Sequence, residues 1–414
     1  MATLARDAAP TFIDVTTSAL YTEDRWQEPF AALRADGGIH YFSDGRFGPY
    51  WALTTYKPIV HVEALPAIFS SSGEYGGITV AGRGREFLET YEVPMPMFIA
   101  MDPPKHSGQR RTMAPAFGPT PVADMKAESV ARTAEVLDSL PIGETFDWVD
   151  KVSMELTTQM LARLFDFPWE ERRNLTRWSD ALGDIESFPD EESRKARLAL
   201  AYEMGAAFHQ IWDSKKGKER SDDLISMMLH SDAMKDMDDG EFMGNLILLI
   251  IGGNDTTRNS MSAFAYGMDK YPEQRAKLEA NPALIPNAVQ ELIRWQTPLA
   301  HMRRTATEDT DLMGHQIKKG DKLVMWYLSA NRDESVFDDG EDINVERENA
   351  RRHLSFGYGI HRCVGARVAE LQLTVLLEEM AKRRLRVRVM SEPKFVPGCF
   401  VHGYKHLDVQ LERY

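Results

Sequence analysis

The chain of 414 residues carries 43% hydrophobic and 27% charged side chains, a globular balance that excludes a disordered, collagenous or coiled-coil protein. Its 49 Lys and Arg against 63 Asp and Glu give a net charge of −14, which excludes non-specific nucleic-acid binding, and its two cysteines, Cys363 and Cys399, exclude a disulfide framework. A chain of this length buries roughly three quarters of its unfolded surface, enough to close a dry apolar cavity inside one large domain over 1–414.

The opening MATLARDAAPTFIDV lacks the apolar core of a signal peptide, so a cytoplasmic location is expected. Residues 1–70 read as short helices mixed with strand-like pieces, and GPYWALTTY (48–56) reads as a strand ending before Lys57-Pro58. Between Ser71 and Met97, glycines and prolines at 73, 76, 77, 82, 84, 94 and 96 break every period, as in a functional loop or a mobile lid. A helical body follows over about 100–300, with apolar residues at three- and four-residue intervals. Its longest apolar run, LILLII (246–251), is far short of the ~20 residues that span a bilayer, so no transmembrane segment is expected. Strand character returns over about 312–328, where GHQIKKGDKLVMWY reads as a hairpin turning at Lys319-Gly320-Asp321. Residues 363–384 read as a helix with Val364, Val368, Leu371 and Val375 on one face, and 385–414 as a small β region. The fold class is therefore mainly α with a small β region, the β-rich pieces lying at about 40–70, 312–328 and 385–414.

Five segments carry chemistry. In Phe356-Gly357-Tyr358-Gly359-Ile360-His361-Arg362-Cys363-Val364-Gly365 a cysteine stands at the start of the predicted helix, where the dipole and free N–H groups favour the metal-ligating thiolate. An isolated free cysteine is ordinarily a small buried hydrophobe, and Cys399 receives that reading. Gly252-Gly253-Asn254-Asp255-Thr256-Thr257 continues a helix although each glycine costs on the order of 1 kcal/mol there, and Thr256 can bond back to the Gly252 carbonyl and bend it. Glu291 and Arg294 stand three apart on a helix, opposite the face of Ala288, Val289, Leu292 and Ile293; solvated, such a pair is worth only ~0.2–0.5 kcal/mol. Basic residues follow Asp102-Pro103-Pro104, namely His106 and Arg110 on successive turns of one helix, and recur in Met302-Arg303-Arg304.

The decapeptide matches the F-G-x-G-x-H-x-C-x-G signature of the cytochrome P-450 superfamily at every fixed position, and the chain as a whole resembles that superfamily in five ordered motifs from about 95 to 385. The resemblance implies the single-domain cytochrome P-450 fold, with haem b (iron protoporphyrin IX) buried between the central helix and the Cys-loop helix. It implies Cys363 as the metal ligand, a thiolate that favours O–O cleavage, with Phe356, Gly252 and Gly253 against the cofactor. His106, Arg110, Arg304 and His361 are then partners of the haem propionates, with Arg303 the residual possibility for Arg304. Asp255 and Thr256 resemble the catalytic acid–alcohol pair that relays protons during dioxygen activation. Glu291 and Arg294, completed by Arg347, resemble the structural E-x-x-R group.

GGNDTTRNS, RWQTPLAHMRR and RRHLSFGYGIHRCVG further resemble the soluble bacterial alkane terminal-hydroxylase family; families oxidising sterol side chains or terpenes share HMRRTA and NRDE (331–334). The implied activity is a haem-thiolate monooxygenase that hydroxylates unactivated C–H bonds of an apolar substrate, at the terminal carbon of medium-chain alkanes or fatty acids. The alternative is a terpene or sterol side-chain hydroxylase. Leu248, Ile251, Gly252, Leu299, Ala300, Phe400 and Val401 would line the substrate pocket. With no G-x-G-x-x-G after a strand, electrons must come from outside, which the resemblance implies is a ferredoxin with an NAD(P)H-dependent ferredoxin reductase. Arg351, Arg352, Arg362 and Arg367 supply a local basic surface for an acidic partner. A haem sensor or carrier, or a peroxide-driven enzyme, would not need Asp255 and Thr256.

Overall fold

The computed structural model describes residues 12–82, 95–183 and 191–414. Residues 83–94 of the expected lid segment lie outside the described residues.

A 32-residue helix, Asp239–Lys270, forms the axis of the molecule. Asp238 caps it by accepting from the Glu241 amide, which removes one of the free donors of the first turn. Against this central helix pack Glu155–Phe165, Arg173–Gly183, Glu191–Lys215, Ile285–Gln296 and Ala366–Lys382. The helix feeds two separate cores. Its first half, with Phe242, Leu246, Leu249 and Ile250, joins Phe165, Trp178 and Phe208; its second half, from Met261 to Met268, joins Trp148, Leu292 and Leu376. Between them, residues 251–260 belong to neither core, and Ile251, Gly252, Gly253, Asp255, Thr256, Thr257 and Ser260 face a cavity. The local run of small and polar side chains thus leaves a gap in an otherwise continuous apolar interior.

The largest sheet has five strands in the order Ile39–Phe42, Tyr50–Leu53, Lys322–Met325, Met302–Ala306 and Phe69–Ser70. All neighbours are antiparallel except Tyr50–Leu53 with Lys322–Met325, where Trp51 pairs with Leu323. The expected hairpin at Lys319-Gly320-Asp321 does not form. His315–Ile317 pairs backward with Thr310–Leu312 through Met313 (φ 54°) and Gly314 (φ 93°), the pair of left-handed residues that a tight hairpin requires. The 318–321 turn instead carries the chain from this ribbon into the main sheet. At the C-terminus Leu385–Val389 and Asp408–Arg413 pair, with Phe146–Asp147 at the edge. Among the described residues no helix is long and apolar enough to cross a membrane.

Candidate active site

Cys363 lies in the loop that joins the short turn Gly359–His361 to the helix Ala366–Lys382. The helix begins three residues later than its heptad-like apolar pattern suggested, because Gly365 holds the N-cap. The Cys363 amide donates to the Phe356 carbonyl at 2.7 Å, and the Gly365 amide donates to the sulfur. The loop is pressed so close to Glu63 that a Cβ on Gly359, already at φ +66°, would stand 2.3 Å from its carbonyl oxygen. Enclosure pushes the Cys363 thiol up, against the opposing pull of the Gly365 amide, Arg110 and Arg362. Amides at a helix start therefore do not by themselves make this sulfur a thiolate; a coordinated cation, which deprotonates a thiol outright, would. Cys399 is wholly buried beside Trp326 and Ala300.

Four of the expected propionate partners converge on the cavity: His106, Arg110, Arg304 and His361 all line it. The rings of His106 and His361 are 4.1 Å apart. Burial, then the neighbouring Arg110 and Arg304 respectively, lower them to about 4 and about 2, so both are neutral. Their ring nitrogens are buried without a hydrogen-bond partner. Arg304 reaches Glu63 at 3.2 Å, and the Tyr327 hydroxyl donates to the same carboxylate at 2.7 Å. Arg303 points the other way, donating to the Tyr75 and Gly76 carbonyls and to Thr305. Glu63 was not foreseen: a glutamate in the last turn of the amphipathic helix Tyr56–Glu63 carries no motif, and only the fold turns it inward.

On the opposite wall the Thr256 hydroxyl donates to the Gly252 carbonyl at 2.8 Å. The two glycines serve different neighbours. A Cβ on Gly252 would enter open space, whereas on Gly253 it would lie 2.8 Å from Leu161 of the adjacent helix. Asp255 is fully buried and does not meet Thr256 directly. Its Oδ1 accepts from Ser179 at 2.9 Å and from Arg258 at 3.2 Å, and Arg258 continues to the half-exposed Asp180 at 2.7 Å. Burial raises Asp255, Arg258 opposes this, and Asp180 adds to it. Gly183 matters here as well, since a Cβ there would stand 2.9 Å from Asp255 Oδ2. Ser179 and Asp180 carried no sequence signal, because their bonds to Asp255 and Arg258 cross from one helix to another, while Arg258, three residues beyond Asp255 on the same helix, went unread.

The cavity has a volume of about 370 Å³. Leu248, Ile251, Leu299, Phe400 and Val401 line it, and Leu299 pairs with Val401 across an isolated antiparallel bridge. Ala300 does not. Extended backbone alternates its side chains, so Leu299 faces inward and Ala300 is carried into the core with Val324 and Trp326. Gly76 to Thr79 and Met95, Met97 and Leu182 complete the wall. The 76–82 segment is stapled from behind: His301 accepts the Val80 amide on Nε2 and meets the Cys399 carbonyl through Nδ1, while Lys322 donates to the Val80 carbonyl.

Glu291 sits beneath the site, not on a solvated face. Arg294 holds it through two nitrogens at 2.7 and 2.8 Å, and Arg347 at 3.0 and 3.1 Å, all within the interior. Arg294 also caps the carbonyls of Asn331, Gly340 and Asp342, so the triad ties the helix Ile285–Gln296 to the meander that precedes the cysteine loop.

The family profile described as Cytochrome P450 matches residues 124–395, more than half of the chain. The chain belongs to the cytochrome P450 family. It is 33% identical over 410 residues to linalool 8-monooxygenase of Pseudomonas putida, covering 96% of this chain and 98% of that protein. To the methyl-branched lipid omega-hydroxylase of Mycobacterium tuberculosis it is 30% identical, with 92% and 90% covered. Among solved structures it superposes with a TM-score of 0.91 on cytochrome P450-153 from Novosphingobium aromaticivorans (55% identity, 96% and 99% covered). CYP153D17 from Sphingomonas sp. PAMC 26605 gives the same score at 62% identity, with 97% and 99% covered. The protein is therefore a cytochrome P450 monooxygenase that uses haem b. Its own residues suit that group: two neutral imidazoles with unmet nitrogens and two guanidinium groups fit a pair of propionates, Gly252 leaves the space opposite open, and Cys363 supplies the sulfur.

Proposed function

We propose that this cytochrome P450 hydroxylates the terminal carbon of medium-chain n-alkanes or fatty acids, with electrons from a ferredoxin and its NAD(P)H-dependent reductase, in the cytoplasm. When bound, haem supplies the oxidising chemistry that places one atom of dioxygen into a C–H bond while the other leaves as water. The chain's residues do the rest. The observation that carries the reading is the aliphatic wall of Leu248, Ile251, Leu299 and Val401 beside Gly252. A primary C–H bond is stronger than a secondary one, so terminal selectivity requires that the methyl group be presented and the methylenes held back, which is a positioning task. Branched side chains on two sides of a narrow bridge perform it.

Thr256 carries a hydroxyl at the cavity face, oriented by its bond to the Gly252 carbonyl, and is the residue that delivers protons there. Asp255 is the buried acid behind it. Arg258, which stays charged, donates to this acid and to the half-exposed Asp180, and so holds the carboxyl in place behind the hydroxyl. His106, Arg110, Arg304 and His361 hold the propionates, and Cys363 ligates iron. Arg351, Arg352, Arg362 and Arg367 are all exposed and form the docking face on the cysteine side.

A second reading, oxidation of a terpene or sterol side chain, is favoured by the names of relatives that specify one carbon, linalool 8-monooxygenase and steroid C26-monooxygenase. The test is a panel of n-alkanes from hexane to hexadecane, the matching fatty acids, linalool and a sterol, scored by spin-state shift and product mass spectra. Predominantly 1-alkanol from a medium-chain alkane supports the reading; mainly subterminal product, or tight binding of the terpene or sterol alone, overturns it.

A further inference from the structure

Resting on the ferredoxin reading above, we infer that Tyr358 is the apolar anchor of the docking face, a rigidly presented ring inside a frame of arginines that fits an acidic iron–sulfur protein with an apolar side chain near its cluster.

Tyr358 is 45% exposed, one of few large apolar side chains so placed among the described residues. The others, such as Ile142, Tyr202, Met313 and Met390, lie outside the cysteine loop. Tyr358 stands five positions before Cys363, and Arg351, Arg352 and Arg362, all exposed, flank it in sequence. Its backbone is fixed. Gly357 and Gly359 on either side are left-handed, at φ +67° and +66°. Tyr358 itself is extended, at φ −134° and ψ 169°. Its amide donates to the buried Glu63 carboxylate. Arg352 is held by Tyr56: its guanidinium lies 5.7 Å from the Tyr56 ring centroid, and its carbonyl accepts from the Tyr56 hydroxyl at 2.8 Å. Arg362 lies 5.9 Å from the Phe356 ring centroid.

A tyrosine held this way loses little freedom on binding, because it has two side-chain torsions and a pre-set backbone. Tyrosine and arginine are the residue types that dominate interface energetics when clustered at a patch centre. The two act on different observables. Exposed arginines raise the encounter rate and respond to salt, whereas an apolar ring that leaves water slows dissociation and does not.

The test uses the haem-loaded enzyme and a purified [2Fe–2S] ferredoxin that reduces it, with affinity and reduction rate measured between low and high salt. Tyr358→Ala should raise the dissociation constant about tenfold at every salt concentration, mainly through faster dissociation, and leave the salt slope unchanged. Tyr358→Phe should stay within about twofold of the wild type. Arg352→Glu should flatten the salt slope. Reduction by dithionite and the carbonyl spectrum should be the same in all three, which separates docking from damage to the fold. If Arg352→Glu weakens docking and Tyr358→Ala does not, the anchor is overturned and the docking face stands. If neither substitution nor salt changes reduction, or no ferredoxin reduces the wild type, the docking reading falls and the anchor with it.

Discussion

The two walls of the cavity are held by opposite means. Around Cys363 the backbone is fixed by directed bonds: amides onto the sulfur and onto Phe356, left-handed glycines against Glu63, and below them the Glu291–Arg294–Arg347 triad. Above Gly252 the wall consists of aliphatic side chains from distant stretches, held mainly by packing, with the bridge between Leu299 and Val401 and the bonds that seat the 76–82 segment behind it. Directed bonds need particular residue types at particular spacings, whereas a packed wall tolerates exchange of one hydrophobe for another at small cost. The first wall is therefore suited to keep a chemistry constant, and the second to change what is oxidised.

Substitutions can sharpen that contrast, and the sharpest concerns the cysteine. Cys363→Ser should abolish the red-shifted Soret band of the reduced carbonyl complex, and Cys399→Ser should keep it; absorption spectra of the two variants decide the matter. Next, Arg347→Ala leaves the buried Glu291 with only Arg294 and the Asn344 amide, and breaking a buried pair costs about 3–5 kcal/mol. Denaturant titration should show that loss, and a clearly smaller one for Leu299→Ala, whose side chain already borders open space.

Acid should act on both walls. His301, behind the substrate wall, and His353, in the cysteine segment, are lowered by burial to about 4 and about 3, and His402 to about 4. Below the ordinary value of 6.5 the unfolded chain binds protons that the folded chain refuses, so stability is fully present above that pH and falls as pH drops toward 4. Urea midpoints should decline steadily from pH 7 to pH 4.5.

The remaining effects fall on function more than on the fold. Thr256→Ala should keep substrate binding and NAD(P)H consumption while product falls several-fold and peroxide rises, read by coupling ratio. The smallest effect, and the most specific, is on regiochemistry. Leu299→Ala or Ile251→Ala should shift product from 1-alkanol toward 2-alkanol, and Ala300→Gly should leave the ratio unmoved because Ala300 faces the core.

The same contrast explains what could be read without coordinates. Cys363, His361, Glu291 and Arg294 were visible because each stands at a fixed spacing within a short motif. The choice of Arg304 over Arg303 rested on the resemblance, and the fold gives its physical reason, since strand alternation sends one to the cavity and its neighbour to the Tyr75 carbonyl. Ala300 was misplaced for the same reason. Glu63 and Ser179 were invisible, as each acts on a residue far away in sequence. The hairpin was set one turn too late because both Met313-Gly314 and Lys319-Gly320 carry turn signals, and only strand partners choose between them.

His301 offers a use that none of its packing suggests. With Nε2 accepting the Val80 amide and Nδ1 facing the Cys399 carbonyl, the ring is confined to a single tautomer. Its Nε2 nitrogen shift is thus a ready-made nuclear-magnetic gauge of whether the 76–82 segment is seated. Because the ring stands behind the wall and never touches the cavity, it can be read during substrate entry without labelling the site itself.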